Sequence, residues 1–202
     1  FRHDIFRTAD LAEEVARFYG YDNIPTTLPK GEATTGKLPF YLRIEQTARD
    51  IAEFCGFSQG YSYSFESPKV FDKLLIPEGD QLRQAISISN PLGEDFSIMR
   101  TVSLNGMLNS LAFNYNHRNK NVRLYELGNV YLPKALPLTE LPDERMQFTL
   151  GMYGEGDFFT MKGVVEEFFE KVGLRKTAKY DPNAGKPYLH PGRQANIIYE
   201  GT

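Results

Sequence analysis

The sequence of 202 residues contains no tryptophan, a single cysteine and no long apolar run. The one cysteine, Cys55, excludes an internal disulfide and fits a reducing compartment. No segment approaches the roughly 18 consecutive apolar residues that a membrane-spanning helix needs, and none resembles a signal peptide. Positive charge is not in excess, because the formal net charge is -3, so any contact with nucleic acid must be local. These absences predict a cytoplasmic protein without a membrane partner.

Recognisable catalytic motifs are also missing. The chain has no glycine-rich loop of the Walker type to hold a phosphate. Its three histidines, His3, His117 and His190, lie far apart in the sequence, and no serine or cysteine is placed beside one. What remains is the composition of a globular protein, with 41% hydrophobic and 24% charged residues.

The pattern of apolar residues predicts helices and strands in a meandering order, which is typical of an α+β fold with a mainly antiparallel sheet flanked by helices. Alternating segments predict strands, and apolar residues spaced three and four apart predict helices. The predicted helices cover residues 9–20, 40–56, 67–75, 104–116 and 158–173. The clearest predicted strands cover residues 61–65 and 145–154, and a pair of strands is predicted around residues 122–132.

Residues 26–38 are rich in proline, threonine and glycine, and they predict an extended linker. This linker separates a short helical segment, residues 1–25, from a larger module, residues 39–202. The last residues, "IIYEGT", form a predicted strand and turn with nothing after them, so we expect the module to be truncated at its C-terminal end.

Four carboxylates, Asp4, Asp10, Glu13 and Glu14, surround the start of the first predicted helix. Asp10 lies on one helix face with Glu13 and Glu14, at spacings of three and four, and Asp4 can close the cluster from the lead-in. Carboxylate oxygens are the ligands that Mg²⁺ prefers. Acidic residues at this position also cap a helix and favour its dipole. The spacing therefore leaves a metal site and a simple helix start as alternatives.

Four separated blocks, "DLAEEVARFYGYDNIP", "NPLGEDFSIMRTVSLNGMLNSLAFN", "VRLYELGNVY" and "LHPGRQANI", resemble the beta subunits of bacterial phenylalanyl-tRNA synthetases. The resemblance runs from Asp4 to the end of the chain. It implies that residues 1–25 end a small helical, DNA-binding-like domain, and that residues 39–202 are most of a class II catalytic-like module without an active site.

The resemblance also implies a set of partners and cofactors. An alpha subunit binds ATP, activates phenylalanine and transfers it to tRNA, within a heterotetramer of two alpha and two beta subunits. The beta subunit supports assembly, tRNA binding and editing. Asp4, Asp10, Glu13 and Glu14 match a magnesium site near the alpha subunit.

Class II synthetases clamp ATP with an arginine two residues before a glutamate on a central strand. Here Leu124 stands two residues before Glu126. Arg123 is adjacent, but an offset of one residue sends a strand side chain to the opposite face. We therefore expect no catalytic or cofactor-binding residue, and a scaffold whose helix 40–55 packs against the partner subunit. The alternative is a free-standing adenylate-forming enzyme.

Two further groups of charged residues are interpreted from the sequence. Arg100 is expected to form a structural ion pair with Glu94 or Asp95. A basic cluster, comprising His117, Arg118, Lys120 and Arg123, follows a predicted helix. This cluster is either a solvated loop or a contact for tRNA.

Overall fold

The computed structural model describes residues 2–33, 35–174 and 178–199. The chain forms two compact units, one up to Lys37 and the other from Leu38 onwards. None of the helices among the described residues combines the length and the apolar character that crossing a bilayer requires.

The first unit contains one helix, α1 (Thr8–Tyr19), followed by a 3-10 turn at Tyr21–Asn23. Gly20 ends α1 as the sequence predicts: its φ of 94° is in the left-handed region, and its N–H donates to the Ala16 carbonyl at 2.8 Å. The start of the helix differs from the prediction. α1 begins at Thr8, one residue before the predicted start at residue 9, and Asp10 lies in its first turn.

The second unit mixes helices with short and long strands. Its helices are α2 (Phe40–Phe54), α3 (Val70–Lys73), α4 (Leu104–Asn116) and α5 (Phe158–Lys171), and its strands are β1 (Ser58–Gln59), β2 (Phe65–Glu66), β3 (Ile98–Met99), β4 (Val122–Leu132), β5 (Asp143–Tyr153), β6 (Lys179–Asp181) and β7 (Asn196–Ile198). Among the described residues of this unit, the strands form three sheets, β1-β4-β5, β2-β3 and β6-β7. All strand pairs are antiparallel except β1 with β4, which is parallel. The predicted α+β class is confirmed, and the largest sheet is mixed.

The two faces of the β4-β5 hairpin have different coverings. On one face, Tyr125 is fully buried and belongs to a core cluster with Ile51 of α2 and Val164 of α5. Its hydroxyl donates to Glu53 Oε1 at 2.7 Å. Burial is the main cause that raises the pKa of Tyr125 to about 12, and the bond to Glu53 adds to it. This face therefore carries the main core of the unit.

The opposite face of the hairpin is covered by α4. Gly151 of β5 allows the close approach, since a Cβ there would lie 2.7 Å from the side chain of Met107 and 2.8 Å from that of Leu111. Met107 is 3% exposed. The glycine in "TLGMY" is thus required by packing, and α4 closes the face of β4 on which Glu126 lies.

The strand predicted at residues 61–65 is mostly wrong. Only Phe65 belongs to a strand, β2, which is two residues long. Tyr61 and Tyr63 are 83% and 74% exposed. Their alternation with serine produces the pattern of a strand, but no neighbouring strand pairs with residues 61–64 in the described part of the chain.

Candidate functional site

The acidic cluster at the start of α1 is held together partly by an arginine. The Nη2 atom of Arg2 donates to Asp4 Oδ2 at 2.7 Å and to Glu14 Oε1 at 2.8 Å. Arg17 donates to the other Glu14 oxygen at 2.8 Å. Hydrogen bonds from Arg2 are the main cause that lowers the pKa of Asp4 and of Glu14 to about 2. A guanidinium group therefore balances the charge of these two carboxylates.

The other two acidic residues do not join this pair. Asp10 Oδ2 accepts the backbone N–H groups of Phe6 and Arg7 at 2.9 and 2.8 Å, which stabilises the helix start. Glu13 is exposed. Among residues 2–33, 35–174 and 178–199, no three His, Cys, Asp or Glu side chains gather to hold a metal ion.

The fit of these four residues to Mg²⁺ is therefore partial. Their oxygens have the chemistry that Mg²⁺ prefers, but in this chain their positions do not form a set of ligands. The magnesium site stays a prediction.

Glu126, the glutamate of the predicted clamp, is buried in an ion pair. Arg100 Nη1 donates to Glu126 Oε1 at 2.7 Å, and the two side chains are only 4% and 5% exposed. Ser62 Oγ donates to Glu126 Oε2 at 2.6 Å, and Arg100 Nε donates to the Asn129 carbonyl at 2.7 Å. Gly128 makes room for the guanidinium, because a Cβ at this position would collide with Arg100 Nη2. Both oxygens of Glu126 have hydrogen-bond donors, and Arg100 makes further bonds beyond the ion pair, which is the condition for a buried charge pair to be tolerated.

The predicted pairing of Arg100 with Glu94 or Asp95 is wrong. Glu94 binds Lys69 instead, at 3.0 Å, and both side chains are exposed. A buried guanidinium needs a carboxylate that is buried with it, and Glu94 and Asp95 lie on an exposed turn. The structural role predicted for Arg100 agrees with its burial, whereas its partner lies 26 residues further along the chain.

Arg123 points away from Glu126, as the alternation of β4 predicts. It donates to the Cys55 carbonyl at 3.1 Å and to the Glu155 carbonyl at 3.4 Å. Leu124, two residues before Glu126, lies opposite Gly151 of β5. The face that carries Glu126 thus offers an aliphatic side chain where a phosphate clamp needs an arginine.

The rest of the basic cluster is at the surface. Arg118 and Lys120 are exposed, and His117 Nδ1 lies 2.8 Å from the Phe113 carbonyl at the end of α4. Lys120 and Arg123 both line a cavity of about 570 Å³. The geometry leaves Arg118 and Lys120 accessible to an anion, so both interpretations of the cluster stand.

The outer side of α2 is aromatic at its ends and polar in its middle. Phe40 and Tyr41 at one end are 69% and 62% exposed, and Phe54 at the other end is 88% exposed. Arg43 and Asp50 between them are also exposed. The exposed apolar side chains of α2 therefore form two aromatic patches, Phe40 with Tyr41 at one end and Phe54 at the other.

One buried acidic residue, Glu66, was not singled out from the sequence. It is 7% exposed and lines a cavity beside α4. The only signal for it is the alternation in "YSYSFES", which sets Ser62, Ser64 and Glu66 on the side opposite to the tyrosines.

The sequence is similar to known proteins over its whole length. The sequence model described as "Phenylalanyl tRNA synthetase beta chain CLM domain" matches residues 24–202. A phenylalanine–tRNA ligase beta subunit from Clostridium acetobutylicum is 45% identical over 203 residues, which are 100% of this chain and 25% of the relative. The corresponding subunit of Clostridium tetani is 42% identical over 197 residues, with 98% and 25% covered. The chain spans about a quarter of the length of these curated relatives.

Solved structures show the same fold at low sequence identity. A pyrrolysyl-tRNA synthetase from Desulfitobacterium hafniense matches with a TM-score of 0.63 and 15% identity, over 81% of this chain and 57% of that one. A second structure, of PylSc from the same organism, matches with a TM-score of 0.56 and 15% identity, over 70% and 48%. The likeness concerns the fold alone.

Proposed function

We propose a function for this chain from one premise: the chain belongs to the family of phenylalanyl-tRNA synthetase beta chains. It is a scaffold module of a phenylalanine–tRNA ligase beta subunit. The module supports assembly with an alpha subunit, in a heterotetramer of two alpha and two beta subunits that works in the cytoplasm. The alpha subunit binds ATP and phenylalanine and charges the tRNA, and the module contributes no catalytic residue.

The observation that carries this proposal is the buried Arg100–Glu126 pair. In an adenylate-forming class II site, the glutamate of the central strand works beside an arginine that clamps phosphate. Here both oxygens of Glu126 accept hydrogen bonds from the chain itself, Oε1 from Arg100 at 2.7 Å and Oε2 from Ser62 at 2.6 Å. Leu124 occupies the place of the clamp, and α4 covers that face. The alternative, a free-standing adenylate-forming enzyme, has no comparable support.

Two functions implied by the family accompany the scaffold role. The exposed aromatic patches at the ends of α2 are the proposed contacts with the alpha subunit, since exposed aromatic side chains are enriched at protein interfaces. Arg118 and Lys120 are the proposed local contacts with tRNA phosphates, because the net charge of the chain is -3 and attraction to phosphate must come from a local group of basic residues.

Isotope exchange between pyrophosphate and ATP tests the scaffold proposal. The chain alone, given phenylalanine, ATP and Mg²⁺, is expected to show no exchange above background. An alpha subunit with a complete beta subunit is the positive control. Calorimetric titration of the chain with ATP and Mg²⁺ is expected to be flat, and binding at micromolar ATP would contradict the proposal.

We also propose that Asp4, Asp10, Glu13 and Glu14 hold Mg²⁺ in the complete enzyme, with further ligands from outside this chain. The carboxylates must then rearrange, because Arg2 binds two of them here. The test is the double replacement Asp10→Asn with Glu13→Gln in a complete beta subunit, and Asp22→Asn is the control. We expect the double variant, but not the Asp22→Asn control, to need more Mg²⁺ than the unchanged subunit for assembly and aminoacylation. Equal behaviour of both variants at limiting Mg²⁺ would leave the four residues as a helix start.

A further inference from the structure

A cavity of about 500 Å³ opens between the segment 61–67, α3 and the first turns of α4. We call it the Glu66 cavity. Its charged lining side chains are Glu66, Asp95 and Lys73, and its aromatic ones are Tyr61, Tyr63, Phe65 and Phe96. The lining thus combines a small excess of negative charge with aromatic rings.

Glu66 is the buried charged group of this cavity, with 7% of its surface exposed. Its Oε1 atom accepts a hydrogen bond from Asn105 Nδ2 at 2.9 Å. Its Oε2 atom is buried and has no hydrogen-bond partner. A buried carboxylate oxygen without a partner costs free energy, because water no longer solvates it. A native structure rarely keeps such an atom without a reason.

The groups around Glu66 do not neutralise it by direct contact. Burial is the main cause that raises the pKa of Glu66, and the charge of Glu126 adds to the rise. The hydrogen bond from Asn105 and the charges of Arg100 and Lys73 act in the opposite direction. Arg100 forms its ion pair with Glu126 and not with Glu66. No ion pair in the described part of the chain joins Lys73 to Glu66.

The mouth of the cavity is aromatic. Tyr61 and Tyr63 are 83% and 74% exposed. The rings of Tyr63 and Phe96 meet edge to face with centroids 5.8 Å apart. Aromatic faces attract cations, and guanidinium groups stack on them.

We propose that the Glu66 cavity binds an organic cation, a guanidinium or ammonium group on an apolar stem. The charged head pairs with the free oxygen of Glu66, and the stem lies against the aromatic rings of the mouth. Since Oε2 is shielded from solvent, a lining side chain must turn to let the head group reach it. The cation belongs either to a small molecule or to an arginine or lysine side chain of another protein.

The first test is a titration of the 202-residue chain with n-butylguanidinium, followed by calorimetry and NMR. The neutral isostere n-butylurea is the matched ligand control. The chain is expected to bind the cation saturably and the urea at least ten-fold more weakly, since hydrogen bonds to charged groups are worth more than neutral ones. Equal binding of the two compounds, or no saturable binding of the cation, would overturn the proposal.

Variants then assign the binding to Glu66. Glu66→Gln keeps the shape of the side chain and an acceptor for Asn105, and we expect it to bind n-butylguanidinium at least ten-fold more weakly. Glu94→Gln is the matched control, because Glu94 is exposed on a nearby turn and does not line the cavity. Equal affinity of Glu66→Gln and the unchanged chain would reject the site.

Lys73→Gln tests the proposed cation site even if Glu66→Gln fails to fold. If the cavity binds an external cation, removing the positive charge of Lys73, which repels that cation, tightens binding several-fold. If Lys73 instead serves as the counter-ion of Glu66, the variant is less stable and binds no more tightly, which contradicts the proposal. The blocked peptide acetyl-Gly-Arg-Gly-amide distinguishes the sources: a receptor for protein side chains binds it as well as n-butylguanidinium, and a receptor for small-molecule cations binds it more weakly.

Discussion

At the scale of single residues, two carboxylates in the described part of the chain, Glu66 and Glu126, are buried in opposite situations. Glu126 has Arg100 and Ser62 on its two oxygens. Glu66 has Asn105 on one oxygen and nothing on the other. Both face the α4 side of the second unit, so they can be compared within one environment.

Replacing Arg100 tests what the buried pair contributes. Arg100→Met is expected to lower the free energy of unfolding by about 3 to 5 kcal/mol, because it leaves Glu126 buried without a counter-charge. The control is Arg145→Met, which removes an exposed ion pair with Asp143, and its cost is expected to stay below about 1 kcal/mol. Urea unfolding of both variants measures the difference. Similar losses for both would show that the buried pair contributes no more than a surface one.

The pH dependence of stability tests the unpaired oxygen of Glu66. Its pKa is raised by burial above the ordinary value of 4.5. Between 4.5 and the raised pKa, the folded chain therefore retains a proton that the unfolded chain has released. Through this window the folded state loses stability as the pH rises, and at lower pH the loss vanishes.

Glu66→Gln removes that titration, so we expect its stability relative to the unchanged chain to increase as the pH rises through the window. Glu94→Gln is expected to follow the unchanged chain, apart from its exposed pair with Lys69. Urea unfolding at a series of pH values measures both. Parallel curves for Glu66→Gln and the unchanged chain would mean that the carboxyl group titrates normally.

At the scale of elements, Gly151 of β5 and Gly163 of α5 are expected to respond in opposite ways to replacement by alanine. Gly151→Ala would place a methyl group 2.7 Å from Met107 and 2.8 Å from Leu111, so α4 would have to shift. We expect a loss of about 1 to 3 kcal/mol. Gly163→Ala, in α5, meets nothing within 4 Å and is expected to stabilise the chain by up to about 1 kcal/mol. Thermal unfolding compares the two, and a neutral Gly151→Ala would show that α4 packs less tightly than described.

The sequence predicts elements well where local signals and packing agree. α4 has the predicted bounds, Leu104–Asn116, because its apolar residues recur at helical spacing. The sequence predicts a pair of strands around residues 122–132, but these residues form one continuous strand, β4, because both of its faces are covered and its residues favour a strand throughout. The strand predicted at residues 61–65 is mostly wrong because alternation of tyrosine and serine does not require one face of the segment to be buried.

The candidate sites depend on contacts between distant residues, which no local pattern reveals. Arg100 and Glu126 are 26 residues apart, so their pairing cannot be read from the sequence. The prediction chose Glu94 and Asp95 because they are closer to Arg100 in the sequence. Similarly, Asp4 and Glu14 are recognisable as acidic neighbours, but the role of Arg2 between them depends on the path of the lead-in.

At the scale of the whole molecule, the proposed scaffold role requires a partner subunit, and the exposed aromatic side chains of the chain are the places to look for its contact surface. Phe40 and Phe54 are 14 residues apart on α2, close to four helical turns, so they lie on nearly the same side of the helix. They are 69% and 88% exposed, and they contribute little to the core of this chain.

We therefore expect the double variant Phe40→Ser with Phe54→Ser to leave the free energy of unfolding of the chain nearly unchanged. Its binding to a phenylalanine–tRNA ligase alpha subunit is expected to weaken at least ten-fold, because aromatic anchors carry a large share of interface energy. Leu92→Ser is the control, since Leu92 is 89% exposed and belongs to a loop outside α2. Calorimetry with the alpha subunit measures the affinities. If the double variant binds as tightly as Leu92→Ser, the ends of α2 are not the interface, and the contact with the alpha subunit must lie on another surface of the module.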